Sequence, residues 1–225
     1  GMLTNPSTPW FTLRFKQDNV ENEDEAKLWL ESATDAMYTA FNRSNFQQEI
    51  FELYHDLITF GTAAMFIEED EEDFIKFSTR HIDEVYIAEN DKGRIDTIYR
   101  RFNLSARAVV QKFGTAVSQD ILVLEKKDPY KEVEIVHAVY PRADFNPTKK
   151  DKKNMPFESV YMEYKNGNEL SVSGFKEFPF VVPRYLKASH EIYGRSPAMT
   201  ALPDVKMLNE MVKTTIKAAQ KQVDP

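Results

Sequence analysis

The spacing of apolar residues changes once along this chain, and that change limits what it can fold into. Between residues 22 and 60 apolar side chains recur every three or four positions. They run first as Ala26, Trp29, Leu30, Ala33, Met37, Ala40 and Phe41, then as Phe46, Ile50, Leu53, Tyr54, Leu57 and Ile58. At 3.6 residues per turn each set forms one stripe along a helix. Asn22 with Glu25 predicts the first helix start, and Glu21, Glu23 and Asp24 sit where a helix dipole favours anions. Ser44 with Gln47 predicts the second start, and Gly61 ends that helix. From Thr62 the period falls towards two. Thr62–Glu68, Phe74–Thr79, Glu84–Ala88 and Arg94–Phe102 read as strands, the last two joined by the turn Asn90-Asp91-Lys92-Gly93. Linked helices followed by a run of strands specify an α+β fold, here an N-terminal helical hairpin packed on mixed or antiparallel sheets.

The remaining segments extend the pattern. Residues 1–20 read as an extended arm, strand-like over Trp10–Phe15. Asn103-Leu104-Ser105 caps a short helix closed by Gly114, and Ser118–Lys127 is a second, stopped at Asp128-Pro129. Val133–Tyr140 is a strand. Residues 141–156, with Pro141, Pro147 and Pro156, form a surface loop, and Phe157–Tyr164 pairs with Glu169–Ser173 across Asn166-Gly167-Asn168. Ser196-Pro197 opens a short helix, and Pro203-Asp204 is expected to open a longer one of about 20 residues, spanning roughly 30 Å. Its apolar positions are Val205, Leu208, Val212, Ile216 and Ala219.

Composition narrows the function. The 225 residues include 16 Phe and 10 Tyr, enough to build a core, and only 7 Gly, which argues against a glycine-rich phosphate cradle. With no Cys the chain forms no disulfide, thiolate zinc site or cysteine nucleophile. A net charge of −7 makes tight phosphate binding by the whole surface unfavourable, while leaving a surface past which DNA can slide. No apolar run approaches the ~18–20 residues of a membrane span. A soluble chain made in the cytosol is expected.

Candidate sites divide between chemistry and plain surface. Glu68-Glu69-Asp70-Glu71-Glu72-Asp73 offers six successive carboxylates, but lacks the glycines and alternating ligands that fold oxygens around a cation. A solvated acidic turn between strands is the expected reading. His55, His81, His137 and His190 form no metal-binding pair at i, i+4, so each is expected in packing roles. Neither a nucleophile elbow nor a Walker or dinucleotide loop occurs, and no catalytic, cofactor or metal residue is assigned. Lys149-Lys150-Asp151-Lys152-Lys153 reads as a solvated loop. Arg94, Arg100 and Arg101 are expected to pair with the surplus acids.

The segment Tyr193-Gly194-Arg195-Ser196-Pro197-Ala198-Met199, followed by Ala201-Leu202-Pro203-Asp204, resembles the head-to-tail connecting (portal) family of short-tailed phages. Lys206-Met207-Leu208-Asn209-Glu210-Met211 and Ala218-Ala219-Gln220-Lys221-Gln222-Val223-Asp224-Pro225 are also similar to that family. So are Pro9-Trp10-Phe11, Leu57-Ile58-Thr59-Phe60-Gly61-Thr62 and His137-Ala138-Val139-Tyr140-Pro141-Arg142, in the family's order across nearly the whole chain.

The resemblance implies that residues 1–195 form a wing-like α+β domain and residues 196–225 the start of a stem helix region. Clip, second stem helix and crown are absent from this chain, which is expected to be an N-terminal fragment. Gly194, Ser196 and Pro197 supply the turn and cap into the stem. The implied function is structural: a subunit of a self-associated ring, a dodecamer in the full-length protein, at the capsid vertex. Its partners would be capsid, scaffold, terminase motor and tail proteins, with double-stranded DNA passing non-specifically and no cofactor or membrane. Its place would be the virion's portal vertex, and the host cytoplasm during assembly. Lys206, Lys213, Lys217 and Lys221, spaced by 7, 4 and 4, fall roughly on one helix face. They are either a DNA-channel-facing set or a solvated face. Two other functions fit less closely: a head–tail adaptor bridging virion proteins, and a metal-dependent nuclease using residues 68–73.

Overall fold

A computed structural model describes residues 3–15, 24–149 and 151–223. They form two compact units. The first takes Gly1–Tyr54, Ala64–Arg80 and Pro179–Val181; the second takes His55–Ala63, His81–Phe178 and Val182–Pro225. The fold is α+β, and every strand pair is antiparallel.

In the first unit, helix α1 (Asp24–Arg43) and the start of α2 (Phe46–Phe60) accompany a three-stranded sheet. The strands are β1 (Ala64–Asp70), β2 (Phe74–Arg80) and β8 (Phe180–Val181), in the order β2-β1-β8. Aromatic rings fill the space over β2: Phe41 and Phe46 lie 4.6 Å apart, and Phe46 meets Phe77 edge-on at 5.1 Å. Such pairs add about 0.5–1.5 kcal/mol each to their burial. Asn22, Glu21 and Glu23, read as the start of α1, lie outside the described residues.

Two expectations change here. Trp10–Phe15 is extended but joins no sheet. Its amides are spent on side chains of α1 instead: Trp10 and Phe11 donate to Tyr38 Oη at 2.6 and 2.7 Å, and Leu13 donates to Thr34 Oγ1 at 3.4 Å. The start of α2 also differs. Ser44 Oγ accepts the Phe46 amide at 3.2 Å, but Gln47 does not complete the box. Asn45 and Glu49 do the larger work, facing β2. Asn45 donates to Phe77 O and accepts from Phe77 N at 2.8 and 2.9 Å, while Glu49 accepts the Thr79 amide at 2.6 Å.

The second unit is built on a five-stranded sheet in the order β3-β4-β5-β6-β7. Its strands are β3 (Val85–Glu89), β4 (Ile95–Ser105), β5 (Glu132–Pro141), β6 (Phe157–Glu163) and β7 (Glu169–Phe175). Asn90 builds the β3–β4 turn, accepting the Lys92 and Arg94 amides at 3.0 and 3.1 Å, and Gly93 takes a φ of 70°. Asn103 and Leu104 continue β4 rather than leading a helix. Ser105 then caps α3 (Ala106–Phe113) by accepting the Ala108 amide at 3.3 Å. With α4 (Gln119–Lys127), α3 places Ala106, Val109, Val117 and Ile121 against Phe102, Ile135 and Leu170. Ile135 is wholly buried, a gain of about 1.5–3 kcal/mol over exposure.

The chain's last element is α5 (Pro197–Val223), one helix of 27 residues. Pro203 lies inside it and does not open a separate helix. The proline removes one amide, the partner of the Met199 carbonyl, and Met199 is exposed, so water can take that carbonyl's place. Among the described residues no helix is long and apolar enough to cross a membrane.

Candidate functional site

The most constrained place in the second unit is the base of α5. Residues 59–63, at the end of α2, meet residues 183–196, which lead into the helix. Gly61 adopts φ 80°, open to glycine, and its carbonyl accepts the Tyr185 amide at 2.9 Å. At Gly194 a β-carbon would stand 2.2 Å from Gly61 O and 3.0 Å from the Arg184 Cβ. Two glycines therefore allow two backbones to touch. The contact is locked by hydrogen bonds: Gly194 N donates to Thr62 Oγ1 at 2.7 Å, and Ala63 N donates to Pro183 O at 3.2 Å.

Ser196 then sets the helix on this base. Its Oγ accepts the Met199 amide at 2.9 Å and donates to Thr59 O at 2.8 Å, and the residue is only 2% exposed. Such a cap is worth about 1 kcal/mol, and here it also joins α5 to α2. Pro197 is the first helical residue, where no amide is required.

A second set of contacts ties the same segment to the β3–β4 hairpin. Arg184 reaches Glu89, Ile192 O and Gly93 O, and Lys187 meets Glu89 at 2.5 Å. Hydrogen bonds from Lys187 and Arg184 hold the Glu89 carboxyl below the usual carboxylate range. The same effect acts between Glu191 and Arg195, whose guanidinium grips the carboxylate through two nitrogens.

Past this base every residue from Met199 to Val223 is exposed. Lys206, Lys213, Lys217 and Lys221 share an arc of roughly 80° at ~100° per residue. Val205, Leu208, Val212, Ile216 and Ala219 occupy another arc of similar width, centred ~140° away. Lys213 is partnered by Glu210 at 3.1 Å. The helix thus shows a cationic face and an apolar face, both uncovered.

Other candidate groups resolve into structure. Glu68, Glu69 and Asp70 close β1 opposite Lys76, Ile75 and Phe74, and Glu71 to Asp73 form the turn. Among the described residues no three His, Asp or Glu converge on a point that could hold a metal. His55 is exposed on α2, and His81 caps the 3-10 turn Ile82–Glu84. His137 is buried on β5, stacked 3.9 Å from Tyr161 and hydrogen-bonded to Ser159 Oγ at 2.9 Å. His190 is exposed, with φ 70°. Arg100 pairs with Glu84 at 2.8 Å and Arg101 with Glu134 at 2.5 Å, whereas Arg94 bonds through its amide. Lys149, Lys152 and Lys153 are exposed; Lys150 lies outside the described residues.

The sequence did not reveal Thr62, Arg184 or Glu89 as parts of the helix base. Gly61 was legible only as a helix end. Glu163, a buried carboxylate at the far side of the sheet, was also missed.

The second unit thus roots a long, uncovered helix on a pair of touching glycines. The profile of the bacteriophage head to tail connecting protein family matches residues 1–225. The chain is similar to the "Portal protein" of Salmonella phage epsilon15, 34% identical over 228 residues, covering 99% of this chain and 41% of the relative. It is also similar to the "Probable portal protein" of Bordetella phage BPP-1, 33% identical over 210 residues, covering 92% of this chain and 38% of the relative. The chain belongs to the bacteriophage head to tail connecting protein family, and it spans about two fifths of the length of these curated relatives.

Proposed function

We propose that this chain is part of a structural subunit of a phage portal ring, the conduit for DNA at the capsid vertex and the joint between head and tail. The observation that carries the reading is α5: 27 residues, exposed from Met199 onward, yet fixed at its base by Gly61, Thr62, Gly194 and Ser196. A helix this exposed retains an apolar stripe that other chains must cover. In a closed ring each subunit offers the same stripe to the next through a heterologous contact. Residues 1–195 would be the wing and residues 196–225 the start of the stem. The work is mechanical rather than catalytic, and the net charge of −7 disfavours adhesion of phosphates to the conduit.

Electron microscopy of the full-length protein tests this directly. Closed rings with a central channel are expected. A full-length protein that stays monomeric, makes no ring and fails to nucleate capsids overturns the reading.

Lys206, Lys213, Lys217 and Lys221 are the groups proposed to face DNA. Replacing all four by glutamine in the full-length ring is expected to flatten the dependence of log K on log salt by at least about 1, roughly one phosphate contact. An unchanged slope in a DNA-binding titration assigns the lysines to solvent instead.

A further inference from the structure

One edge of each sheet, β2 and β3, is met by side chains rather than by a further strand. On β2 the outward groups of Phe77 and Thr79 are taken by Asn45 and Glu49, as described above. On β3, the edge of the five-stranded sheet, the same task falls to Tyr193. Its hydroxyl accepts the Ile87 amide at 3.2 Å and donates to the Val85 carbonyl at 3.3 Å. A phenol has one donor proton and acceptor lone pairs, so one side chain satisfies two of the peptide groups that an incoming strand would use, the Ile87 N–H and the Val85 C=O. Its ring also fills part of the space beside the edge.

We propose that Tyr193 guards the β3 edge, and that the partner it excludes is the β3 edge of a second copy of this chain. Three features of the edge favour such a pairing. Val85-Tyr86-Ile87-Ala88 is rich in β-branched and aromatic side chains, which suit a pleated surface. In an antiparallel pair centred on Ile87, Ile87 would oppose the partner's Ile87, and Val85 would oppose the partner's Glu89. Glu89 therefore meets an apolar residue, and no like charges stand opposite each other. The Val85 carbonyl and the Ile87 amide already point outward, since Tyr193 reaches them there, and an unguarded row of this kind is a template for strand addition.

The guard belongs to the helix base. The next residue, Gly194, is held by Thr62, and Arg184 and Lys187 fix the same segment to Glu89. Whatever loosens the base of α5 thus also loosens Tyr193 from the edge. The guard is independent of the ring assignment, because it concerns contacts within one chain.

The experiment uses the 225-residue chain as wild type, Tyr193→Ala and Tyr193→Phe, with sedimentation velocity over a concentration series and hydrogen exchange at Ile87. Tyr193→Ala is expected to associate at a concentration at least tenfold below any seen for wild type, equivalent to about 1.4 kcal/mol. Its Ile87 amide should exchange fast when dilute and slowly when concentrated. Tyr193→Phe keeps the ring and loses both hydrogen bonds, so faster exchange at Ile87 is expected even where the ring still hinders pairing. Wild-type association by Tyr193→Ala together with fast Ile87 exchange at all concentrations overturns the proposal. So does wild-type exchange at Ile87 in Tyr193→Phe. If Tyr193→Ala does not fold, Tyr193→Phe decides by exchange at Ile87: faster exchange than wild type supports the guard, and wild-type exchange overturns it.

Discussion

Replacing Gly194 with alanine is expected to cost on the order of 3–5 kcal/mol and to free the start of α5. The new methyl would lie 2.2 Å from Gly61 O and 3.2 Å from the Arg184 Cα, both of them backbone atoms that cannot swing aside as a side chain can. Relief requires the strands of chain at 59–63 and 183–196 to separate. That movement breaks the bond from Gly194 N to Thr62 Oγ1, and the reach of Ser196 Oγ to Thr59 O. The loss is therefore cooperative, since one clash removes the contact, the lock and the tie between α5 and α2. Hydrogen exchange should show it as faster exchange at Met199 and Thr200, in the first turn, and thermal melting as a lower midpoint. Thr62→Val is the milder partner experiment. It preserves shape, leaves the Gly194 amide without its acceptor, and should cost about 1–3 kcal/mol. A Gly194→Ala protein with wild-type melting and unchanged exchange in the first turn of α5 would sink this account of the helix base.

What the sequence revealed follows the range of the forces involved. The apolar stripes of α1 and α2, the caps at Ser105 and Ser196, and the Asn90–Gly93 turn are local: a few adjacent residues carry both cause and effect. The acidic run was legible only in part: Glu71 to Asp73 make the expected solvated turn, while Glu68, Glu69 and Asp70 extend β1. Pro203 misled because proline commonly opens helices, and only the exposure of Met199 shows that the lost hydrogen bond is cheap there. Trp10–Phe15 misled because an extended, aromatic segment reads as a strand whether its amides meet a ladder or a tyrosine hydroxyl. The helix base was legible only in half. Gly194, Ser196 and Pro197 stand together, but their counterparts Thr59, Gly61 and Thr62 lie more than 130 positions earlier, and no local pattern joins the two. The use proposed for the exposed helix rests on family resemblance rather than on local physics.

Glu163 provides the other large effect, and it adds a dependence on pH. The residue is 3% exposed, on β6, with its carboxylate turned to two neighbouring turns. Ser118 donates both its amide and its hydroxyl, at 2.8 and 2.7 Å, and Asn166 and Asn168 donate through their side-chain amides at 2.8 and 3.1 Å. Burial pushes the carboxyl's pKa up, but these donors, led by the Ser118 amide, outweigh it and leave the group below its usual range. Because the folded pKa is depressed, the contribution to stability is present above the unfolded value, near 4.5, and is lost as pH falls through the folded one. Glu163→Gln keeps the shape but turns an amide N–H₂ toward groups that are themselves donors. It should destabilise the chain by about 2–4 kcal/mol at neutral pH, where the wild-type carboxylate is charged. As the medium is acidified below about pH 4.5 the wild type should lose stability towards the variant, and the gap between their denaturation midpoints should narrow. Urea titrations at pH 7 and at successively lower pH measure that gap. A gap that stays constant, or that widens in acid, would show that the carboxylate's charge plays no part in joining the α3–α4 connection to the β6–β7 turn.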